Sequence, residues 1–302
     1  MNLIHLLKKT ISLSLVIFII IGSKHSVFAQ EPNVEAAVIW EKIETFFSPP
    51  AEFADKYGEF LSPLKFYNGR SVETIEDWQK RREEILSRWN NMMGVWPPLI
   101  KDQEVEILET THRENFMQYR IRFYWTPTEK TEGYLLIPDG EGKKPAVITV
   151  YYEPETAIGL GKPYRDFAYQ LTKRGFVTLS IGTTRATKAK TYALYYPSLT
   201  DAKVEPLSML ACAAVNAWYV LANRPEVDSD HIGIVGHSFG GKWAMFASED
   251  PPQRWVALNH TIAVNRLLGV NNRVAMTNRP EHSPNLKSNE QIYLFFEFFL
   301  KH

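Results

Sequence analysis

The sequence predicts an α/β fold built on a mostly parallel sheet with helices on both faces. Two observations carry this. From about residue 144 the chain alternates strand, helix, strand, the pattern of parallel strands joined by crossover helices. The strands of that section, near 145–152, 176–182 and 232–236, are short apolar runs bounded by turn residues. At 302 residues, 45% of them hydrophobic, the chain is long enough to bury a core of this kind without disulfide support.

Taken in order, residues 34–47 and 72–93 read as helices, because apolar and aromatic residues recur on one face. Pro49, Pro50, Pro63 and the turn signal Asn68-Gly69 interrupt the chain between them. Residues 104–111, 116–125 and 133–137 alternate or run apolar between polar turns, which predicts an antiparallel meander at one sheet edge. A strand over 145–152, a helix over 164–174 ended by Gly175, a strand over 176–182 and a long apolar helix over 206–223 follow. The run 232–236 is the next strand, with a helix opening at Lys242. Beyond it the pattern predicts a helix near 253–268 and a last strand near 272–277. The domain division expected is a leader over 1–29, a helical extension over 30–100 and the α/β domain over 101–302.

Charge excludes some partners. Lys plus Arg equals Asp plus Glu at 34 each, so no electrostatic case exists for nucleic acid or an anionic membrane. The N-terminus reads as a signal peptide: Lys8 and Lys9, the apolar run 11–22, then a polar stretch ending Val27-Phe28-Ala29. Cleavage after Ala29 leaves no stable membrane span, since the run is shorter than an ordinary spanning helix. An exported, periplasmic or extracellular bacterial protein is the expectation. Cys212 is the single cysteine, set in an apolar helical run, and reads as core packing. No His-Glu-x-x-His or clustered Cys/His pattern points to a metal, and no glycine-rich phosphate loop to a nucleotide, so no cofactor is expected.

The chemistry-bearing motif is Gly236-His-Ser-Phe-Gly240, between the strand 232–236 and a helix. Glycines on both sides allow a tight, strained turn that exposes the serine hydroxyl above the sheet edge. The helix behind it directs free N–H groups toward the reaction centre, and the Phe239 N–H is placed to donate to a developing oxyanion. Ser238 needs a base and an acid to orient that base. Of the histidines after it, His260 falls within a helix and His302 at the terminus, leaving His282 in the loop after the 272–277 segment. Asp250 is the first candidate for the acid and Glu249 the second; Glu281 is adjacent to His282 and poorly placed to reach its ring. The aromatic stretch Tyr192–Pro197 lines the cleft or packs in the core.

On these residues, with Leu221-Ala-Asn-Arg-Pro-Glu-Val-Asp228 before them, the sequence resembles secreted bacterial α/β-hydrolases of the dienelactone hydrolase and acetyl xylan esterase type. The resemblance runs from about residue 70 to the C-terminus and takes in Trp78, the strand ending Tyr151-Tyr-Glu-Pro154 and the tail 278–282. It implies an α/β-hydrolase-like sheet, a Ser238–acid–His282 triad, and a second oxyanion donor from the backbone near Tyr152. One departure matters. Only 43 residues separate Ser238 from His282, too few for the sixth and seventh strands of that fold and their helix. In relatives Ser248-Glu-Asp-Pro-Pro252 resembles the end of strand seven. Here Asp250 would lie about 15 Å from Ser238 if their shared helix is unbroken, at 1.5 Å per residue. The expectation is a shortened serine esterase for a small ester or acylated carbohydrate, with activity impaired by the deletion. A peptidase of the prolyl oligopeptidase kind and a non-catalytic remnant are the alternatives.

Overall fold

Strong apolar runs become the inner strands of a six-stranded sheet. A computed structural model describes residues 33–183, 194–245, 255–277 and 282–302. The leader 1–29 and the candidate acids Asp250, Glu249 and Glu281 lie outside the described residues. The strands are β1 (Glu106–Arg113), β2 (Phe116–Thr126), β3 (Glu129–Pro138), β4 (Lys144–Tyr151), β5 (Val177–Gly182) and β6 (Val227–Gly236). Their order across the sheet is β1-β2-β3-β5-β4-β6. The first three form the expected antiparallel meander. β3 meets β5 antiparallel, and β4 runs parallel to both β5 and β6. This is a mixed six-stranded sheet of the α/β-hydrolase form, and among the described residues no strand follows β6.

Helices cover both faces, and alternation along β4 decides which side chain meets which. Helices are α1 (Val34–Ile43), α2 (Ile75–Met93), α3 (Phe167–Lys173), α4 (Pro206–Ala222), α5 (Phe239–Met245), α6 (Trp255–Leu267) and α7 (Leu286–Lys301). Ala146, Ile148 and Val150 join α4's Met209, Leu210, Cys212, Ala213 and Ala217 in the main core. Val147 points the other way, to Phe167 and Leu171 of α3 and Tyr293 and Phe296 of α7. All six residues of β5 are buried, as a strand covered on both faces requires. Val34–His302 cluster as one compact unit.

Two elements differ from the sequence reading. Residues 272–277 form no strand. The Met276 N–H donates to the Phe46 carbonyl at 2.8 Å, in the 3₁₀ turn Glu44–Phe47 that ends the N-terminal helical segment, so this backbone is tied to α1's end rather than to the sheet. Helix α7, capped by a reciprocal Asn285–Ser288 pair, is an element the pattern hid. Its run of tyrosine, leucine and phenylalanine is apolar on more than one face because it serves two partners. Tyr293 and Phe296 pack on the sheet. Leu294, Phe298 and Phe299 pack on Ile39, Trp40 and Ile43 of α1 and Phe47 after it.

The connector between α2 and β1 is held by α4. The fully buried Asn216 accepts from the Ile100 N–H and donates to the Trp125 carbonyl, both at 2.9 Å. Trp96 donates to Ser208 Oγ at 2.8 Å. Replacing Asn216 by alanine strands two backbone groups, so urea unfolding of the purified protein should show a loss of about 2–4 kcal/mol. Cys212 is fully buried, as expected of a packing residue, and burial pushes its thiol up to about 12. A thiol raised in this way stays protonated at pH 8. A chromogenic disulfide reagent at that pH should therefore leave Cys212 unmodified in the folded protein and titrate one thiol once guanidinium has unfolded it.

Candidate active site

The turn from β6 into α5 is built by two glycines in mutual contact. A Cβ on Gly236 would stand 2.2 Å from the Gly240 carbonyl carbon, and one on Gly240 would stand 2.0 Å from the Val150 carbonyl oxygen of β4. Both are backbone atoms with no room to retreat, so the spacing Gly-x-Ser-x-Gly follows from closing this turn against the neighbouring strand. The Gly240 N–H then donates to the His237 carbonyl at 2.9 Å. Ser238, at the apex, has φ of +57°, the left-handed region that costs a residue with a side chain about 1–2 kcal/mol. The helix behind it is anchored by Trp243, whose indole N–H donates to the Leu210 carbonyl of α4 at 2.6 Å.

Aromatic rings crowd the carboxyl end of β4 beside this turn. Phe239, 7% exposed, stacks on Tyr152 with ring centres 5.6 Å apart and planes at 20°. The two residues whose backbone N–H groups were the oxyanion candidates therefore face each other across the elbow. Tyr151 packs edge-on against Tyr152 at 4.8 Å and lies over His237 at 6.2 Å. His237 is buried and touches His282, with ring centres 5.0 Å apart. His282 itself is exposed, just before α7.

The structure thus brings the loop histidine of the sequence reading to the residue that precedes Ser238 in the chain. The other two histidines after the serine lie elsewhere. His260, on α6, is buried with Nε2 3.1 Å from the Tyr57 carbonyl and its ring against Tyr57, and His302 is exposed at the chain end. Of the aromatic stretch, Tyr192 lies outside the described residues, while Leu194 is buried in the main core and Tyr196 packs against it. That part is packing. Three residues at the site escaped the sequence reading: Tyr151, Arg165 and His237. A search restricted to histidines after the serine passes over His237, although its position next to Ser238 was a signal.

Residues 131–264 match the dienelactone hydrolase family. The matched segment starts in β3, includes the elbow and ends in α6, so His282 and α7 lie beyond it. No curated protein matches the chain. Among solved structures it is similar to a glucuronoyl esterase from Solibacter usitatus, with 17% identity, 64% of this chain and 61% of that one covered, and a TM-score of 0.48. A CE15 glucuronoyl esterase from Teredinibacter turnerae is 15% identical over 71% of this chain and 62% of that one, with a TM-score of 0.43. Acetyl xylan esterase 1 from a Thermoanaerobacterium species is 17% identical over 53% and 57%, with a TM-score of 0.35. The chain spans less than two thirds of the length of each.

No group of three or more metal-ligating side chains occurs among the described residues, and none of their helices is long and apolar enough to cross a membrane. The elbow geometry makes a stability prediction. Gly240→Ala should cost about 3 kcal/mol or more in urea unfolding, or prevent recovery of folded protein, because its Cβ meets fixed backbone. Ser238→Gly should be about 1 kcal/mol more stable than Ser238→Ala, since only glycine adopts the left-handed φ without strain.

Proposed function

We propose that the protein is a serine ester hydrolase in which Ser238 is the nucleophile and His282 the general base. The observation that carries this is the left-handed Ser238 at the apex of a glycine-closed strand-to-helix turn, with the His282 ring packed against its chain neighbour His237. The dienelactone hydrolase match over 131–264 supports an esterase-type hydrolase. Under this reading the Ser238 hydroxyl attacks the ester carbonyl carbon while His282 takes its proton. The N–H groups of Phe239 and of the backbone at Tyr152 hold the oxyanion. Collapse of the tetrahedral intermediate expels the alcohol, protonated by His282, and leaves an acyl-serine. Water, deprotonated by the same imidazole, then releases the acid and restores Ser238. Asp250 remains the proposed orienting acid. The substrate proposed is a small ester or an acylated carbohydrate, which the half-buried aromatic rings of Tyr151 and Tyr152 suit. Export after removal of residues 1–29 belongs to the same proposal.

Purified protein should hydrolyse p-nitrophenyl acetate and form a covalent adduct with a fluorophosphonate at Ser238. Ser238→Ala and His282→Ala should each lower kcat by about 10³-fold or more, the scale expected when one member of a nucleophile–base pair is removed. Equal rates for wild type and Ser238→Ala, with no adduct on Ser238, would refute the serine mechanism.

A further inference from the structure

A guanidinium with no carboxylate partner among the described residues stands beside the elbow. Arg165 follows Tyr164, whose φ of +63° is left-handed and strained for a residue with a side chain. That strained turn is held from α7, where the buried Asn289 donates through Nδ2 to the Tyr164 carbonyl at 2.8 Å. The result is a direction for the next side chain. Arg165 Nη1 donates to the Tyr151 hydroxyl at 2.7 Å, and its guanidinium carbon lies 5.8 Å from the centre of the Tyr151 ring.

Tyr151 is the side chain through which that contact reaches the chemistry. It is the last residue of β4, and its Cα would lie 3.4 Å from a Cβ on Gly240. Its ring lies over His237, the residue before Ser238, and packs edge-on against Tyr152, where the second oxyanion donor is proposed. One tyrosine therefore touches both flanks of the serine, and Arg165 holds its outer end.

We infer that Arg165 is a positioning residue for the serine chemistry. Acting through Tyr151, it keeps the backbone at Tyr152 and the His237 ring aligned with Ser238. The inference rests on the serine hydrolase reading above. Misplacement of such a constellation by about 1 Å costs on the order of 10²-fold in rate.

The test compares Arg165→Met, Tyr151→Phe and the double variant on the neutral ester p-nitrophenyl acetate, with Arg165→Lys as the rescue. Each single change should lower kcat by about 10- to 100-fold with KM kept within about twofold. The double variant should be no worse than the weaker single, because both changes cut the same link. Arg165→Lys keeps a donor for the phenol and should recover most of the rate. In the NMR spectrum of the full chain, Arg165→Met and Tyr151→Phe should shift the His237 ring signals alike. Additive losses, a raised KM with kcat unchanged, or His237 signals that do not move would each overturn the inference, the second by showing that Arg165 touches substrate instead. If the serine mechanism fails its own test with the fluorophosphonate, the His237 signals still decide whether Arg165 acts through Tyr151.

Discussion

Gly236 and Gly240 lie against each other, and Gly240 lies against the Val150 carbonyl, so the end of β6 can turn into α5 only by folding tightly over the end of β4. Much of the site follows from that contact. Ser238 is forced into a left-handed conformation because two residues on either side leave the turn no other path. Phe239 begins α5 stacked on Tyr152, and His237 is pressed beneath Tyr151. The Trp243–Leu210 hydrogen bond holds α5 down on α4, so the strain at the apex is balanced by burial a turn later.

Among the described residues the strand that carries this turn is the last in the sheet order. Here α7 packs over β6 from one face, and the N-terminal segment packs on α7. Phe46 ties down Met276, six residues before His282. A cavity of about 250 Å³, lined by Ile43, Phe46, Val235, Ala275 and Phe295 among others, lies where these pieces meet beside β6. The N-terminal helix, which the sequence presents as an extension, thus helps hold the segment that leads to the candidate base.

Much of the fold was legible because burial on both faces leaves little ambiguity in composition. β5 is buried along its whole length and β4 from Ala146 to Val150, and α4 is apolar enough to be buried nearly all round. The elbow was legible for a different reason: Gly236 and Gly240 meet each other four residues apart, so that part of the signal is local, although Gly240 also meets the Val150 carbonyl of β4. What failed was also specific. Arg273–Thr277 has the composition of a strand, but a strand needs a partner, and the Met276 amide finds Phe46 instead. α7 escaped because its aromatic residues divide between the sheet and α1, which blurs the single apolar stripe by which a surface helix is read.

His282 was reached by elimination, and its ring does meet His237; nothing in the chain order indicated that contact, since 44 positions separate the two. The same holds for Arg165, fourteen residues and one helical turn after the tyrosine it touches. The edge meander, the tight turn and the buried cysteine come from interactions between near neighbours or from composition, and those are written in the sequence. Which histidine meets His237, which tyrosine lies over it and which arginine holds that tyrosine depend on segments packed together through β4, β6 and α7. Only the folded chain specifies those distances.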